Sequence, residues 1–316
     1  MELSRYVLPG GKLDDALILN KEAIYKGMNG KVIERFFIPA EQRTQSYIFK
    51  PLTNVETIGR ERWAHTEIIP LVPQIRTPKI LAQADHSDPD RYWAIMEDYG
   101  RLSHELSEED LVLAAGVIPF WHQLSQQLVP EHLTGNKPKL EQALETVQGK
   151  WENVKCILQA SGMDAKLITK FYTAINNAPF GSSQETVVSQ GDFHRGNIAI
   201  QNQGVVVLDW EHVHRNSPYW DLYNLIDMTH PVIRRRTTQA GRGAALRTYA
   251  SRRTELGWMG SQSELEAGYY LYSAIYSAWM LLLIEADRSK GVFRVDDLQE
   301  AEKETLTSFA ECMSQH

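Results

Sequence analysis

Acidic and amide side chains are grouped around residues 190–210 at a spacing that suits phosphoryl chemistry. Asp192 and Asn197 share a glycine-rich loop, and Asp209 follows the strand-like run Val205–Leu208. A turn at Gln203-Gly204 would let that run return antiparallel to a strand that starts at Asn197. The pattern therefore predicts a hairpin that brings Asp209 back beside Asn197 and Asp192.

Such a set of side chains can transfer a phosphoryl group to a hydroxyl. One carboxylate accepts the proton of the attacking hydroxyl, while a second carboxylate and an amide oxygen are the hard ligands that Mg²⁺ prefers. The rest of the catalysis is positioning and neutralisation of charge. The alternative is that Asp192, Asn197 and Asp209 are ordinary turn residues, because Asp and Asn favour loops.

The same stretch resembles the aminoglycoside phosphotransferase and choline kinase family, whose fold is that of protein kinases. The resemblance rests on a Gly-Asp-x-His-x-x-Asn motif at residues 191–197 and on the run from Leu208 to Glu211. It implies that Asp192 is the catalytic base and that Asn197 and Asp209 bind Mg²⁺. It also implies ATP or GTP as the co-substrate.

Two neighbours of the expected base should shape its loop. Gln190 stands where the family usually has histidine, and we expect its side chain to brace the loop through a hydrogen bond. His194 is expected to brace the loop as well. A metal-ligand role for His194 is disfavoured because no second His or Cys is suitably spaced.

The first hundred residues resemble the nucleotide-binding part of the same family. Lys50 lies on the predicted third strand, where the resemblance implies a lysine that binds the α- and β-phosphates. Glu61 on the next helix is its predicted ion-pair partner, and Glu67 is the alternative. The residues assigned to the nucleotide-covering loop and the adenine-binding hinge are Gly27, Asn29, Met96, Glu97 and Tyr99.

The acceptor is expected to contact the chain after Asp209. The candidates are Glu211, Trp220 and Asp221, and Glu211 has the further interpretations of a metal ligand or an outward-pointing acid. The resemblance implies aminoglycosides, choline-like amino alcohols, sugars or homoserine as acceptors, and the sequence does not choose among them. The net charge of −7 favours a cationic acceptor.

The order of predicted elements is that of an α+β protein with two lobes, and the resemblance implies a protein-kinase-like fold. Residues 1–98 form the small β-rich N-terminal lobe for the nucleotide, and residues 99–316 form the large, mainly helical C-terminal lobe for catalysis and substrate binding. Helices are predicted over Thr57–Ile69, from Ser107 to about Leu128, and over 139–160, 164–176 and 267–284.

Composition narrows the class of protein. The chain has 316 residues, 43% of them hydrophobic, and its negative net charge argues against a nucleic-acid partner. Two cysteines, Cys156 and Cys312, and a start unlike a signal peptide predict reduced thiols in a cytoplasmic protein.

The apolar stretch 267–284 is long enough to span a membrane. Its tyrosines and serines instead favour a buried core helix, so no membrane partner is expected. The oligomeric state stays open.

Three other interpretations remain. The chain could be a protein kinase, a non-catalytic nucleotide-binding protein of the same fold, or a protein anchored through residues 267–284. A protein kinase is disfavoured because Trp210 follows Asp209, so there is no Asp-Phe-Gly motif. The basic stretch Arg234–Arg253 either contacts a phosphate-bearing substrate or forms a solvated helical face.

Overall fold

The computed structural model of the chain describes residues 2–27, 29–39, 43–85, 87–177, 185–202, 204–235 and 237–316. These residues divide into two compact units. The first comprises Met1–Ser103 and Val206–His212, and the second comprises His104–Val205 and Val213–His316. The first unit thus includes a short segment from the middle of the chain, which a single division at residue 98 assigns to the other lobe.

In its described residues, the first unit contains a five-stranded antiparallel sheet in the order β1-β2-β3-β5-β4. The strands are β1 Asn20–Lys26, β2 Val32–Pro39, β3 Thr44–Pro51, β4 Ile80–Gln83 and β5 Trp93–Glu97. Side chains of alternate residues point to the same face of a strand, and Phe36, Ile38, Phe49 and Ile95 are buried together. The short N-terminal helical turn Leu3–Tyr6 packs on this core.

The helix of the first unit is shorter than predicted. Helix α1 spans Arg60–Glu67, whereas the sequence predicts Thr57–Ile69. It starts late because Gly59 has a φ of +75°, which an α-helix does not accept. Residues Val55–Thr57 form a separate turn of 3₁₀-helix, capped by the side chain of Asn54.

The second unit is mainly helical. Its helices in the described residues are α2 Glu108–Val117, α3 Pro119–His122, α4 Leu140–Gly149, α5 Trp151–Ala160, α6 Ala165–Asn177, α7 Tyr219–Ile226, α8 Gln239–Glu255, α9 Gln262–Lys290 and α10 Val295–Gln315. Strand β6 Val187–Ser189 pairs with β9 His214–Asn216, and β7 Ile198–Gln201 pairs with β8 Gly204–Val207. The predicted hairpin is therefore present as β7 and β8, and Gln203 of its turn lies outside the described residues.

The predicted helix from Ser107 to about Leu128 begins as expected and ends early. Ser107 and Asp110 form a capping box at its start. Helix α2 stops at Val117 and α3 begins at Pro119, because proline has no N–H for the hydrogen-bond ladder. The remainder is a 3₁₀ turn at Gln126–Leu128.

The stretch 139–160, predicted as one helix, is divided. Helix α4 ends at Gly149 and α5 begins at Trp151, with a non-helical backbone at Lys150 (φ −110°, ψ 28°). Glycine lowers helix stability by roughly 0.5–1 kcal/mol relative to alanine, which favours an end at this point.

Helix α9 is the hub of the second unit. It packs against α4, α5, α8 and α10. Among the described helices it alone is long and apolar enough to cross a membrane, yet 72% of its apolar window is buried inside the protein. Tyr272 and Tyr276 are fully buried, and their rings contact Tyr219, Trp220 and Tyr223. This is the packing expected of a core helix.

Candidate active site

Lys50 lies at the centre of a charged cluster in the first unit. Its Nζ is 2.7 Å from Oε2 of Glu61, 2.8 Å from Oδ1 of Asp209 and 3.7 Å from Oε2 of Glu211. We call these four residues the Lys50 cluster. Glu67, the alternative partner, lies at the last position of α1 and is exposed. The structure thus brings Lys50 to Glu61.

Local backbone structure positions each member of the cluster. Lys50 projects from β3, and Glu61 lies in the first turn of α1. Helix α1 packs against the 3₁₀ turn Trp210–His212, which carries Glu211. Asp209 has a φ of +57°, a conformation rare for a residue other than glycine. Such conformations persist where the surroundings fix them, often at functional sites.

Charge in the Lys50 cluster is unbalanced. Burial lowers the pKa of Lys50, but the surrounding carboxylates, led by Asp209, raise it well above its ordinary value. Burial raises the pKa of Glu61 against the attraction of Lys50. Burial also raises the pKa of Glu211 to about 8, and Asp209 adds to that rise. Within the described residues, Lys50 therefore does not neutralise all of the acid packed around it.

A divalent cation fits this surplus of negative charge. Glu61, Asp209 and Glu211 each offer a carboxylate oxygen, and these oxygens lie within 4.8 Å of one another. Mg²⁺ prefers hard oxygen ligands and is usually bound through one or two carboxylates. Asp209 was expected at a metal site from the sequence. Glu211 is buried in the cluster, so its outward-pointing interpretation is wrong.

Asp192 and Asn197 are joined within one loop of the second unit. The amide nitrogen of Asn197 donates to the carbonyl oxygen of Asp192 at 3.0 Å and to its Oδ2 at 3.1 Å. The amide oxygen of Asn197 is therefore not the atom that binds Asp192. It remains suited to a cation.

Gln190 and His194 brace this loop. The Asp192 backbone N–H donates to Oε1 of Gln190 at 2.8 Å. The backbone N–H of Gly196 donates to Nδ1 of His194 at 2.9 Å, and Nε2 of His194 lies 3.4 Å from Oδ2 of Asp192. His194 belongs to no group of metal-ligating side chains in the described part of the chain. Both residues take the bracing part expected of them.

Asp221 holds the same loop through hydrogen bonds to residues 189–191. It is fully buried, and its carboxylate accepts hydrogen bonds from the Ser189 hydroxyl at 2.7 Å and from the backbone N–H groups of Gln190 and Gly191 at 3.0 and 3.1 Å. Trp121 Nε1 donates to it at 2.8 Å, and His122 Nε2 lies 3.0 Å away. We call this set the Asp221 network.

These contacts change the interpretation of two acceptor candidates. Burial raises the pKa of Asp221, but hydrogen bonds led by that of His122 bring it below its ordinary value. Trp220 is 2% exposed, and its Nε1 donates to the Gly191 carbonyl at 2.9 Å. Since Asp221 and Trp220 are both buried and engaged with the loop backbone, they position the loop and do not line an acceptor pocket.

The residues assigned to the nucleotide lie in the first unit. Gly27 and Asn29 belong to the turn between β1 and β2, where Asn29 donates to the Leu52 carbonyl at 3.0 Å. Met28 of this turn lies outside the described residues. Met96 and Glu97 end β5, and the Tyr99 hydroxyl donates to the Thr77 carbonyl at 3.1 Å. These two groups of residues lie at the ends of strands in the same sheet.

The sequence from residue 57 to residue 255 matches the phosphotransferase enzyme family. The chain belongs to this family. It is thus a phosphotransferase that acts on an alcohol group of a small molecule, and the match includes both the Asp192 loop and Asp209. Comparison with curated protein sequences gives no match.

Solved structures similar to this phosphotransferase share its fold. The complex of APH(2″)-IIia with GDP and kanamycin is 12% identical, with a TM-score of 0.58, and 94% of this chain aligns with 95% of that one. Spectinomycin phosphotransferase APH(9)-Ia with ADP and spectinomycin is 13% identical, with a TM-score of 0.54 and 95% and 94% coverage. A choline/ethanolamine kinase family protein from Mesorhizobium loti is 14% identical, with a TM-score of 0.55 and 95% and 89% coverage. The chain therefore has the kinase-like fold of aminoglycoside phosphotransferases.

Sequence reasoning did not find the Asp221 network of this phosphotransferase. The sequence places Asp221 only a short distance after Asp209, the expected metal ligand, and so predicts that it contacts the acceptor. Its partners Trp121 and His122 lie about a hundred residues earlier and on another helix. The available signal was the type of residue, since an Asp within the apolar helix α7 needs polar partners.

Proposed function

We propose that this phosphotransferase is a Mg²⁺-dependent kinase that moves the γ-phosphate of ATP or GTP to a hydroxyl of a small molecule. The observation that carries the proposal is the position of Lys50, held at 2.7 Å from Glu61 and 2.8 Å from Asp209. An ammonium group fixed by carboxylates can bind phosphate oxygens without first losing side-chain freedom. The surplus acid beside it suits the metal that accompanies a nucleotide.

In the proposed reaction, Asp192 accepts the proton of the acceptor hydroxyl. The hydroxyl oxygen forms a bond to the γ-phosphorus, the bond from that phosphorus to the β–γ bridging oxygen breaks, and the nucleoside diphosphate leaves with the electron pair. The side-chain amide of Asn197 fixes the Asp192 carboxylate through its 3.1 Å hydrogen bond. A fixed base contributes typically 10²–10⁴-fold in rate.

Phosphate binding is proposed for the remaining members of the cluster. Lys50 binds the α- and β-phosphates and Glu61 orients it, while Asp209 and Asn197 hold Mg²⁺, with Glu211 as a further oxygen ligand. The bound Mg²⁺ would neutralise charge on the phosphates. The residues proposed to contact the rest of the nucleotide are Gly27, Asn29, Met96, Glu97 and Tyr99.

The acceptor class, the nucleotide and the location of the enzyme are proposed from the structural neighbours, the composition and the burial of α9. Spectinomycin, kanamycin and choline- or ethanolamine-type kinases among the structural neighbours support aminoglycosides, amino alcohols and sugars as classes to test. GDP and ADP in those neighbours support either nucleotide. A cytoplasmic location without nucleic-acid or membrane partners is proposed from the acidic net charge, the burial of α9 and the free thiols of Cys156 and Cys312.

A coupled assay of nucleoside diphosphate release tests the proposal. ATP and GTP are each supplied with Mg²⁺ and a panel of hydroxyl compounds from these classes, with a generic protein as a separate arm. We expect release that depends on one class of small acceptor and disappears in Asp192→Asn. Release with protein alone would indicate a protein kinase. If the chain does not bind ATP or GTP in a Mg²⁺-dependent way, it is not a kinase of any kind.

A further inference from the structure

A narrow pocket in the second unit lies next to the loop of the proposed base. Its polar lining consists of His194, Arg195, Asn224, His230, Arg234 and Arg235, and we call it the arginine pocket. His194 follows Asp192 by two residues and lies 3.4 Å from its carboxylate. The pocket and the Asp192 loop therefore share a wall.

The segment that supplies the arginines is packed directly on the loop. A Cβ atom placed on Gly196 would lie 2.9 Å from Cδ1 of Ile233, so the side chain of Ile233 closely approaches the loop at this glycine. Burial, helped by the charges of His194 and Lys137 and opposed by the Asp192 carboxylate, lowers the pKa of His230 to about 4. His230 is therefore neutral near pH 7, and it lies within electrostatic reach of Asp192.

Several polar atoms of the arginine pocket lack a partner. Arg235 has a side chain that is 5% exposed, and its Nη2 lies 3.0 Å from Glu311 and 3.2 Å from Asp227. Its Nε, however, is buried and has no hydrogen-bond partner among the described residues. The same holds, within the described chain, for Nη1 of Arg234, whose Nη2 pairs with Asp297 at 3.2 Å.

Asn224 adds an acceptor to these donors. Its amide nitrogen donates to the Trp220 carbonyl at 2.8 Å, whereas its Oδ1 is buried and without a partner in the part of the chain that the structure describes. A buried donor or acceptor left unpaired costs about 1–3 kcal/mol, so such groups in proteins usually meet water or a ligand. The unpaired guanidinium N–H groups can donate to an oxyanion of a ligand, and the unpaired amide oxygen can accept from a hydroxyl of the same ligand.

We propose that the acceptor carries an oxyanion, a carboxylate or a phosphate, and that Arg234 and Arg235 bind it beside Asp192. The inference rests on the proposed function, because it names the acceptor class of the same site. Guanidinium groups bind carboxylates and phosphates through paired N–H donors. Asp227, Glu311 and Asp297 already occupy one side of these arginines, so the ligand binds the remaining N–H donors.

This inference reverses the expectation of a cationic acceptor. The net charge of −7 is a sum over the whole chain, and solvent ions screen exposed charges beyond roughly 10 Å. A ligand inside the arginine pocket instead meets the nearest groups, which are guanidinium donors. The first part of the basic stretch, Arg234 and Arg235, is thus pocket lining. Of the arginines farther along the stretch, Arg252 is exposed and pairs with Glu255, whereas Arg242 and Arg253 are buried and pair with Asp227 and Glu185.

Calorimetric titration of three small probes tests the oxyanion. Glycerol, glycerate and glycerol 3-phosphate share a hydroxyl-bearing carbon chain and differ in charge, and the last two separate a carboxylate from a phosphate. We expect the wild-type protein to bind at least one of the two anions and not glycerol. Arg234→Gln and Arg235→Lys should each weaken that binding about tenfold, which is about 1.4 kcal/mol. Arg235→Lys keeps the charge but lacks the Nε donor.

Arg252→Gln is the matched control, since it removes a charge from the same basic stretch without reaching the pocket. It should bind the anion as the wild type does, and the melting temperature of each variant reports whether it is folded. Absence of binding for both anions, equal binding of glycerol, or an equal loss in Arg252→Gln would overturn the inference.

Kinetics separates this inference from the proposed function. If a cationic or neutral acceptor is phosphorylated, and Asp192→Asn abolishes turnover while Arg234→Gln leaves the acceptor KM unchanged, the kinase stands and the oxyanion is wrong. If the anion binds through Arg234 but no compound is ever phosphorylated, the pocket stands and the proposed reaction is wrong.

Discussion

The Lys50 cluster and the Asp221 network are both buried groups of charged and polar side chains, and they differ in how completely the protein satisfies them. The Asp221 carboxylate accepts from the Ser189 hydroxyl, from the backbone of Gln190 and Gly191, and from Trp121, and it lies against His122. In the Lys50 cluster, one ammonium faces three carboxylates within the described residues, and the side chain of His212 lies 3.5 Å from that of Glu211.

The difference separates scaffold from binding site. A buried carboxylate with its lone pairs filled by the protein needs no ligand, and its removal leaves stranded donors. A group of carboxylates in excess of its cations is costly unless a proton or a metal ion joins it. The Asp221 network therefore holds the Asp192 loop in place, whereas the Lys50 cluster is suited to a phosphate-bound cation.

The largest effect should come from the base that the Asp221 network supports. Asp192→Asn keeps the size of the side chain and removes its basicity, so turnover should fall by roughly 10²–10⁴. Because Asp192 is not itself in the network, the urea unfolding midpoint should stay close to that of the wild type. Steady-state kinetics and equilibrium unfolding on the same samples measure both. Near-normal turnover would remove Asp192 from the mechanism.

Asp221→Ala should show the opposite profile. It leaves the Ser189 hydroxyl and two backbone N–H groups buried without their acceptor, so the free energy of unfolding should fall by about 3–5 kcal/mol, as for other broken buried pairs. Asp296→Ala, at a carboxylate that is 81% exposed, is the control and should change stability little. An Asp221→Ala protein as stable as that control would show that the network is not a scaffold.

The Lys50 cluster is tested through nucleotide binding. Asp209→Ala removes the acid closest to Lys50 other than Glu61, and we expect the Mg²⁺-dependent part of ATP or GTP affinity to fall at least tenfold, which is about 1.4 kcal/mol. Binding without Mg²⁺ should change less, because Lys50 remains. Calorimetry with Mg²⁺ and with EDTA measures the two parts. Equal losses in both conditions would place the metal away from Asp209.

The sequence predicts those parts of the two buried groups whose interacting residues lie close together along the chain. The Asp192 loop and the capping box at Ser107 are local patterns, and both were found from the sequence. The Lys50–Glu61 pair was expected from the resemblance to the phosphotransferase family, with Glu67 as the alternative partner. The fold class, an antiparallel sheet followed by helices, was predicted correctly from the order of elements.

The parts that the sequence did not predict depend on contacts between distant residues. Asp221 meets Trp121 and His122 across about a hundred residues, and no periodic pattern encodes which buried acid will meet which donor. Arg234 and Arg235 belong to a basic stretch that continues into α8, where Arg242 and Arg253 are buried and Arg252 is exposed, and the sequence does not show which of these arginines line a pocket. Helix ends at Val117 and Gly149 were missed because single breakers were outweighed by the flanking helical pattern.

The smallest expected effect concerns the surplus acid at Glu211. Burial raises the pKa of Glu211 to about 8, whereas its ordinary value is 4.5. Between these pH values the unfolded chain has lost the proton and the folded protein still holds it, so the unfolded state binds fewer protons. The free energy of unfolding of the metal-free protein should therefore be highest below about pH 4.5, as far as this group contributes, and should fall as pH rises to about 8.

Glu211→Gln cannot ionise, so it should flatten that fall and make the metal-free protein more stable than the wild type at pH 8. Urea midpoints measured in EDTA across this pH interval give the slope. Glu255→Gln changes an exposed acid paired with Arg252, and it should keep the wild-type slope. If the slope survives Glu211→Gln, the Lys50 cluster carries no surplus proton there. It would then be as well satisfied as the Asp221 network, and the electrostatic reason for a metal ion beside Lys50 would be lost.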